Sequence, residues 1–153
     1  MPPLPYATRM TCDFCGVPSP IWEFQCKDFS YWADGDPRDE ILFEGGGWAS
    51  CAECRVLIEA GDKVSLLAKD MDSKGRRGVF TMPVLKALVE IGGLAADHSP
   101  KDAADQIARL LSGLGIEAGS DIHEAAMTAH IFAMFFKNRM AEPAQLLATG
   151  PVQ

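Results

Sequence analysis

Apolar and polar residues alternate with period two early in the chain and with a helical period later. In "IWEFQCKDF", Trp22, Phe24 and Cys26 fall on one face and Glu23, Gln25 and Lys27 on the other, which predicts a half-buried strand. "SYWADGDPRDE" follows, and its Asp-Gly and Asp-Pro steps favour turns, so it reads as a loop. "ILFE" then offers a second short strand before Gly45, Gly46 and Gly47, and the two strands make a predicted hairpin. In "RVLIEAGD" the spacing turns helical, with Val56, Leu57 and Ile58 as core contacts, Gly61 as terminator and Asp62 as the cap of a following helix.

Beyond "DSKGRRGVFTMP", residues Asp72 to Pro83, three further helices are predicted. The first starts at Thr81 with Pro83 in its first turn and ends at the Gly92-Gly93 pair. The second takes Ser99 as N-cap, Pro100 at the first position, Asp102 in the first turn and Gly113 at the terminus, and buries Ala103, Ile107, Leu110 and Leu111. The third starts at Ser120 or Asp121 and carries Lys137 and Arg139 at its negative end. From Ala125 to Phe136 it is apolar except for Thr128 and His130, wider than one surface stripe requires. Either this helix is central to its bundle, or its excess face, with Phe132, Phe135 and Phe136, docks on a partner or a second copy. It is too short to span a bilayer.

All five cysteines, all three tryptophans and both tyrosines precede that junction, and all three histidines follow it. The expected organisation is α+β: a flexible arm over 1–10, a four-cysteine finger over 11–75, and a helical domain of about three helices over 76–153. Chelation is expected to unfold the finger while sparing the later helices.

The chemistry lies in two C-x-x-C pairs, Cys12 with Cys15 and Cys51 with Cys54. Zinc takes four soft or borderline ligands in a tetrahedron, and a C-x-x-C turn aims two sulfurs at one ion while its amides donate to them. Gly16 supplies the sharp turn of a knuckle, and Cys51 and Cys54 stand in the first turn of a helix, where the dipole favours thiolate. Two readings compete with one closed structural zinc site: small buried hydrophobes, and a thiol oxidoreductase pair at Cys51 and Cys54, which lacks the expected parallel βαβ setting. Cys26 is left over and reads as a buried thiol.

Knuckle, hairpin and helix in this order resemble the treble-clef class of four-cysteine zinc fingers and the broader zinc-ribbon group. The resemblance covers Thr11 to about Met71 and implies one zinc ion on Cys12, Cys15, Cys51 and Cys54. More loosely, "CDFCG", "WASCAEC" and "LIEAGD" are similar to a group of small bacterial zinc-finger proteins to which no activity attaches. The long spacing between the pairs sets the chain apart from compact DNA-reading fingers, and the lack of histidine before His98 sets it apart from the HNH nucleases.

The formal charge of −7 opposes a nonspecific grip on nucleic acid or on an anionic membrane. Lys69, Lys74, Arg76 and Arg77 form the basic cluster that a nucleic-acid-associated regulator would use, with Trp22, Tyr31, Trp32 and Trp48 as stacking residues. His123 and His130 lie seven residues apart, about 10.5 Å along a helix axis, too far to share one ion as a hydrolase would require. With no export signal or membrane-length apolar run, the chain is expected to be cytoplasmic. The favoured role is non-enzymatic: a zinc-binding adaptor or regulator presenting an interaction surface that includes Trp22, Trp32, Trp48, Phe132, Phe135 and Phe136.

Overall fold

The computed structural model describes residues 11–18, 20–32, 40–43, 46–75, 80–117, 119–140 and 144–146. The arm at 1–10 lies outside them. The fold is mixed α+β, with strands β1 (Trp22–Cys26), β2 (Phe29–Trp32), β3 (Glu40–Phe43) and β4 (Gly46–Ser50) leading into helices. These are α1 (Ala52–Ala60), α2 (Lys63–Ser73), α3 (Met82–Ala95), α4 (Pro100–Gly113) and α5 (Asp121–Asn138), and a short β5 (Gln145–Leu146) follows.

β1 alternates as its sequence predicts, with Phe24 and Cys26 buried and Glu23 and Gln25 half-buried. Its partner differs from the expected one. β1 pairs antiparallel with β4, Phe24 opposite Trp48, while the "ILF" strand pairs with β2, Tyr31 opposite Ile41. Two features explain the difference. Phe29, Tyr31 and Trp32 are strong strand formers that the turn-rich residues after them had masked. The glycines before Trp48, read as a break, begin a strand in which Gly47 leaves the space occupied by the Glu23 side chain.

The helices terminate largely by the predicted chemistry. Gly61 adopts the left-handed conformation and its N–H reaches the carbonyls of Ile58 and Leu57, after which the Asp62 carboxylate accepts from the Ser65 N–H. Ser120 caps α5 by accepting from the His123 N–H. α4 runs to Gly113, but Gly115, two residues further on, takes the positive φ expected of Gly113. Val56 and Leu110 are exposed at 65% and 41%, so neither is the core contact its periodicity suggested.

α3 runs through Gly92 and Gly93 where the sequence predicted its end. At Gly92 it meets α5 so closely that a Cβ would stand 2.6 Å from the His130 backbone nitrogen and 2.8 Å from the Ala129 carbonyl carbon. At Gly93 a Cβ would meet nothing within 4 Å. Substituting alanine at these neighbours should therefore act in opposite directions. Gly93→Ala removes the cost of a mid-helix glycine and is expected to stabilise by about 0.5–1 kcal/mol. Gly92→Ala gains the same propensity yet forces two backbones apart, with an expected net loss of about 1–3 kcal/mol. Urea midpoints of the two variants check both signs.

One hydrophobic core runs through the whole described chain, from Cys12 and Phe14 through Leu66, Leu85 and Ile107 to Phe135. The Phe14 ring lies 4.9 Å from Phe135, 5.3 Å from Trp48 and 5.7 Å from Phe132. The cluster draws residues from both sides of the division expected at residue 76. The chain also returns to the sheet: the Lys27 N–H donates to the Asn138 carbonyl, the Met140 N–H donates to the Gln25 carbonyl, and β5 lies beside Trp22 and Glu23. This return covers the edge of β1 opposite β4.

Candidate metal centre

The first cysteine pair is held by a turn that the sequence dictates. Gly16 has φ of 80°, its N–H donates to the Cys12 carbonyl at 2.9 Å, and the Cys12 N–H donates to the Val17 carbonyl at 2.8 Å. Asp13 fastens this knuckle to β4 from both sides. Its N–H donates to the Ala49 carbonyl at 2.9 Å, and its carboxylate accepts from the Ala49 N–H at 2.7 Å. The second pair opens α1, where Cys51 is the N-cap and its sulfur accepts from the Cys54 N–H at 3.4 Å. A cysteine thus fills the capping role that an oxygen side chain usually performs.

All four sulfurs lie within 4.8 Å of one another. Thiolate bonds to zinc of ~2.3 Å in a regular tetrahedron put the sulfurs about 3.8 Å apart. The Cys15 and Cys51 sulfurs are 3.8 Å apart. Cys12, Cys15 and Cys54 are at most 2% exposed, and Cys51 is half-buried. The donor set, its spacing and its amide contacts fit a tetrahedral cation, with no residue arranged as an oxygen ligand beside the sulfurs among the described residues.

The electrostatics show what such a cation would relieve. Within the cluster, the hydrogen bond from the Cys54 thiol pulls Cys12 down to about 4, aided by the backbone amides of Cys51, Cys15 and Phe14 against the opposing effect of burial. Burial pushes Cys15 up to about 11. Cys54 rises further, first because its proton is shared with Cys12 and then through burial. One thiolate is thus held by protonated neighbours, since like charges this close resist joint ionisation. A divalent cation reverses that order by making every thiolate favourable. Metal uptake near neutral pH should therefore expel at least the Cys15 and Cys54 protons, and apparent affinity should rise with pH, about 100-fold per unit for two protons. Calorimetry in buffers of different ionisation enthalpy measures the protons released, and a count near zero would contradict the assignment.

Lys69 stands beside this centre. Burial works to lower its pKa, but the sulfurs of Cys15 and Cys51, then Glu53 and Cys54, outweigh that and raise it. Its ammonium lies 3.7 Å from the Glu53 carboxylate, and Lys74 lies 3.0 Å from that of Asp70. Two of the four cations proposed for nucleic acid are thus engaged with acids. Arg76 and Arg77 lie outside the described residues.

The aromatic candidates separate into two groups. Trp48, Phe132 and Phe135 are 8%, 4% and 0% exposed, so they belong to the core and offer little open surface. The broad apolar face of α5 is explained by its central place: Phe14, Phe24 and Trp48 converge on Phe135. Trp22, Trp32 and Phe136 are half-buried, and each has a cation over its ring, Arg55 at 3.7 Å, Lys101 at 5.4 Å and Lys63 at 5.3 Å respectively.

The histidines do not converge. His130 is buried, its Nδ1 lies 3.2 Å from the Gly92 carbonyl oxygen, and burial lowers its pKa. His123 accepts at Nδ1 from the Gly119 N–H. Cys26 is 6% exposed and burial pushes its thiol up to about 11, the protonated and inert state expected of a packing cysteine.

Asp13 and Phe14, the residues between the knuckle cysteines, belong to the site without being singled out by the sequence pattern. Phe14 is 1% exposed and connects the four-cysteine cluster to α5. The signal was present in "CDFC": a phenylalanine held at a knuckle must point either to solvent or to whatever packs against the site. No helix among the described residues is long and apolar enough to cross a membrane. No protein-family model, no curated protein and no solved structure matches the chain.

Proposed function

We propose that this chain is a zinc-binding, non-catalytic adaptor of the treble-clef type, acting in the cytoplasm, whose ion holds a rigid surface for a protein partner. One observation carries the reading: four cysteine sulfurs, from a knuckle and a helix start 36 residues apart between Cys15 and Cys51, lie within 4.8 Å. Four thiolates form a closed site, with no open position for water or substrate, which is the ligand arrangement of structural zinc. None of the five cysteines is in a disulfide, in keeping with a reducing compartment. The acids beside Lys69 and Lys74 speak against the nucleic-acid alternative, since they neutralise the cations that reading needs.

The ion's role is preorganisation. It fixes knuckle, β4 and α1 before any partner arrives, so that binding does not bear the cost of ordering them. Elemental analysis of the purified protein should find about one zinc per chain, with the thiols resisting alkylation until a chelator is added. Protein free of zinc, with Cys51 and Cys54 cycling through a disulfide, would establish the oxidoreductase reading instead.

A further inference from the structure

The residues between the knuckle cysteines also line a pocket. It has a volume of about 400 Å³ and lies between the knuckle, β4, α2 and α5. Phe14, Trp48, Ile131 and Phe132 give it apolar walls, and Asp13, Asp70, Lys74 and Thr128 give it polar groups. Its size is within the ~300–1,000 Å³ of ordinary ligand sites, with an apolar body and few polar groups.

The charges select the occupant. Carboxylates outnumber ammonium groups two to one, and the Lys74 ammonium is already 3.0 Å from the Asp70 carboxylate. Asp70 is only 5% exposed, so water screens it poorly. Asp13 uses one oxygen, Oδ2, for the Ala49 N–H, which leaves Oδ1 as an acceptor. A zinc ion on four thiolates would leave net negative charge on the neighbouring centre, and the chain as a whole carries −7. An anion entering this pocket would face all of these charges, and Lys74, the ammonium among the described lining residues, is already paired.

We propose that this pocket receives a cationic side chain, arginine or lysine, presented by a basic segment of a partner polypeptide. The proposal rests on the adaptor reading and names its surface and its partner's chemistry. An aliphatic stem packs along Ile131 and the edge of Phe132 while its charged head meets Asp13, Asp70 and the Thr128 hydroxyl. Because Asp13 and Phe14 stand between Cys12 and Cys15, the metal ion sets the shape of one wall. Recognition is thereby made dependent on metal.

The test is an NMR titration of the zinc-loaded full chain with capped glycine-serine hexapeptides carrying one central arginine, lysine, glutamine or glutamate. The arginine and lysine peptides are expected to bind, and binding is expected to weaken as salt is raised. Asp13→Asn keeps the acceptor for the Ala49 N–H and should weaken binding about fivefold, a value set by the exposure of this carboxylate. Lys74→Gln removes a resident competitor for Asp70 and should tighten binding, a gain that a purely structural role would not produce. Thr128→Phe fills the pocket and should abolish binding while leaving the charges in place. Zinc content is measured on every protein. Zinc-loaded wild type that ignores the cationic peptides, or binds the glutamate peptide equally, overturns the pocket proposal and leaves the metal reading standing. Tight binding of free arginine amide, equal to that of the peptide, overturns the polypeptide source in favour of a small organic cation. Wild type without zinc overturns the metal reading, as the elemental analysis shows separately.

Discussion

On the proposed zinc assignment, a chelator is expected to unfold the protein in a single transition, losing the α3, α4 and α5 signal together with that of the strands. The composition of the chain, with every cysteine before residue 55, suggests the opposite, a finger that melts alone. The packing decides between them. Phe14 is fixed in the knuckle by its cysteine neighbours and is in ring contact with Phe132 and Phe135 of α5. Trp48 of β4 meets Phe135 at 5.0 Å, and the last described residues pair with β1. Loss of the ion therefore removes support from one wall of a shared core. The energies agree in scale: structural zinc contributes ~10–16 kcal/mol in small fingers, against ~5–15 kcal/mol for the whole stability of a typical domain. Far-ultraviolet circular dichroism and near-ultraviolet tryptophan signals should collapse together on titration with a strong chelator, and Cys54→Ser should reproduce the effect. Persistence of the helical signal after the tryptophan signal is gone would show two independent units.

The local chemistry was legible in the sequence because it is local. The C-x-x-C pairs, the glycine at the knuckle, the cap at Asp62 and the N-cap at Ser120 each depend on a few adjacent residues. The strand pairing was not legible, because β1 has two candidate partners and the choice depends on where Phe24 and Trp48 meet α5, which no short window contains. Gly92 illustrates the same limit. In sequence the Gly92-Gly93 pair is a helix terminator, and only the approach of Ala129 and His130 turns one of the two into a packing residue. The four-cysteine cluster was predictable as a set of candidate ligands for the same reason, whereas its packing on α5 through Phe14 and Trp48 was not.

Phe135 is the residue on which this attachment converges, so Phe135→Ala is expected to be the most damaging single core truncation. Its side chain is 0% exposed and its ring lies within 6.0 Å of the rings of Phe14, Phe24, Trp48 and Phe136. Deleting it leaves a void bordered by the knuckle, two strands and α5, elements that cannot all move inward without breaking the β1 and β4 ladder. The expected loss is about 3–5 kcal/mol, at the level seen when a buried aromatic is reduced to alanine. Phe136→Ala should cost only about 1 kcal/mol, because its ring is half-buried and its loss opens no enclosed space. Denaturation of both variants under saturating zinc separates the packing effect from the metal, since the four sulfurs come from other residues and the folded fraction should still hold one ion. If Phe135 served a partner instead, its truncation would leave the denaturation midpoint unchanged and remove binding alone. A residue with four aromatic neighbours and no exposed surface is expected to do the reverse.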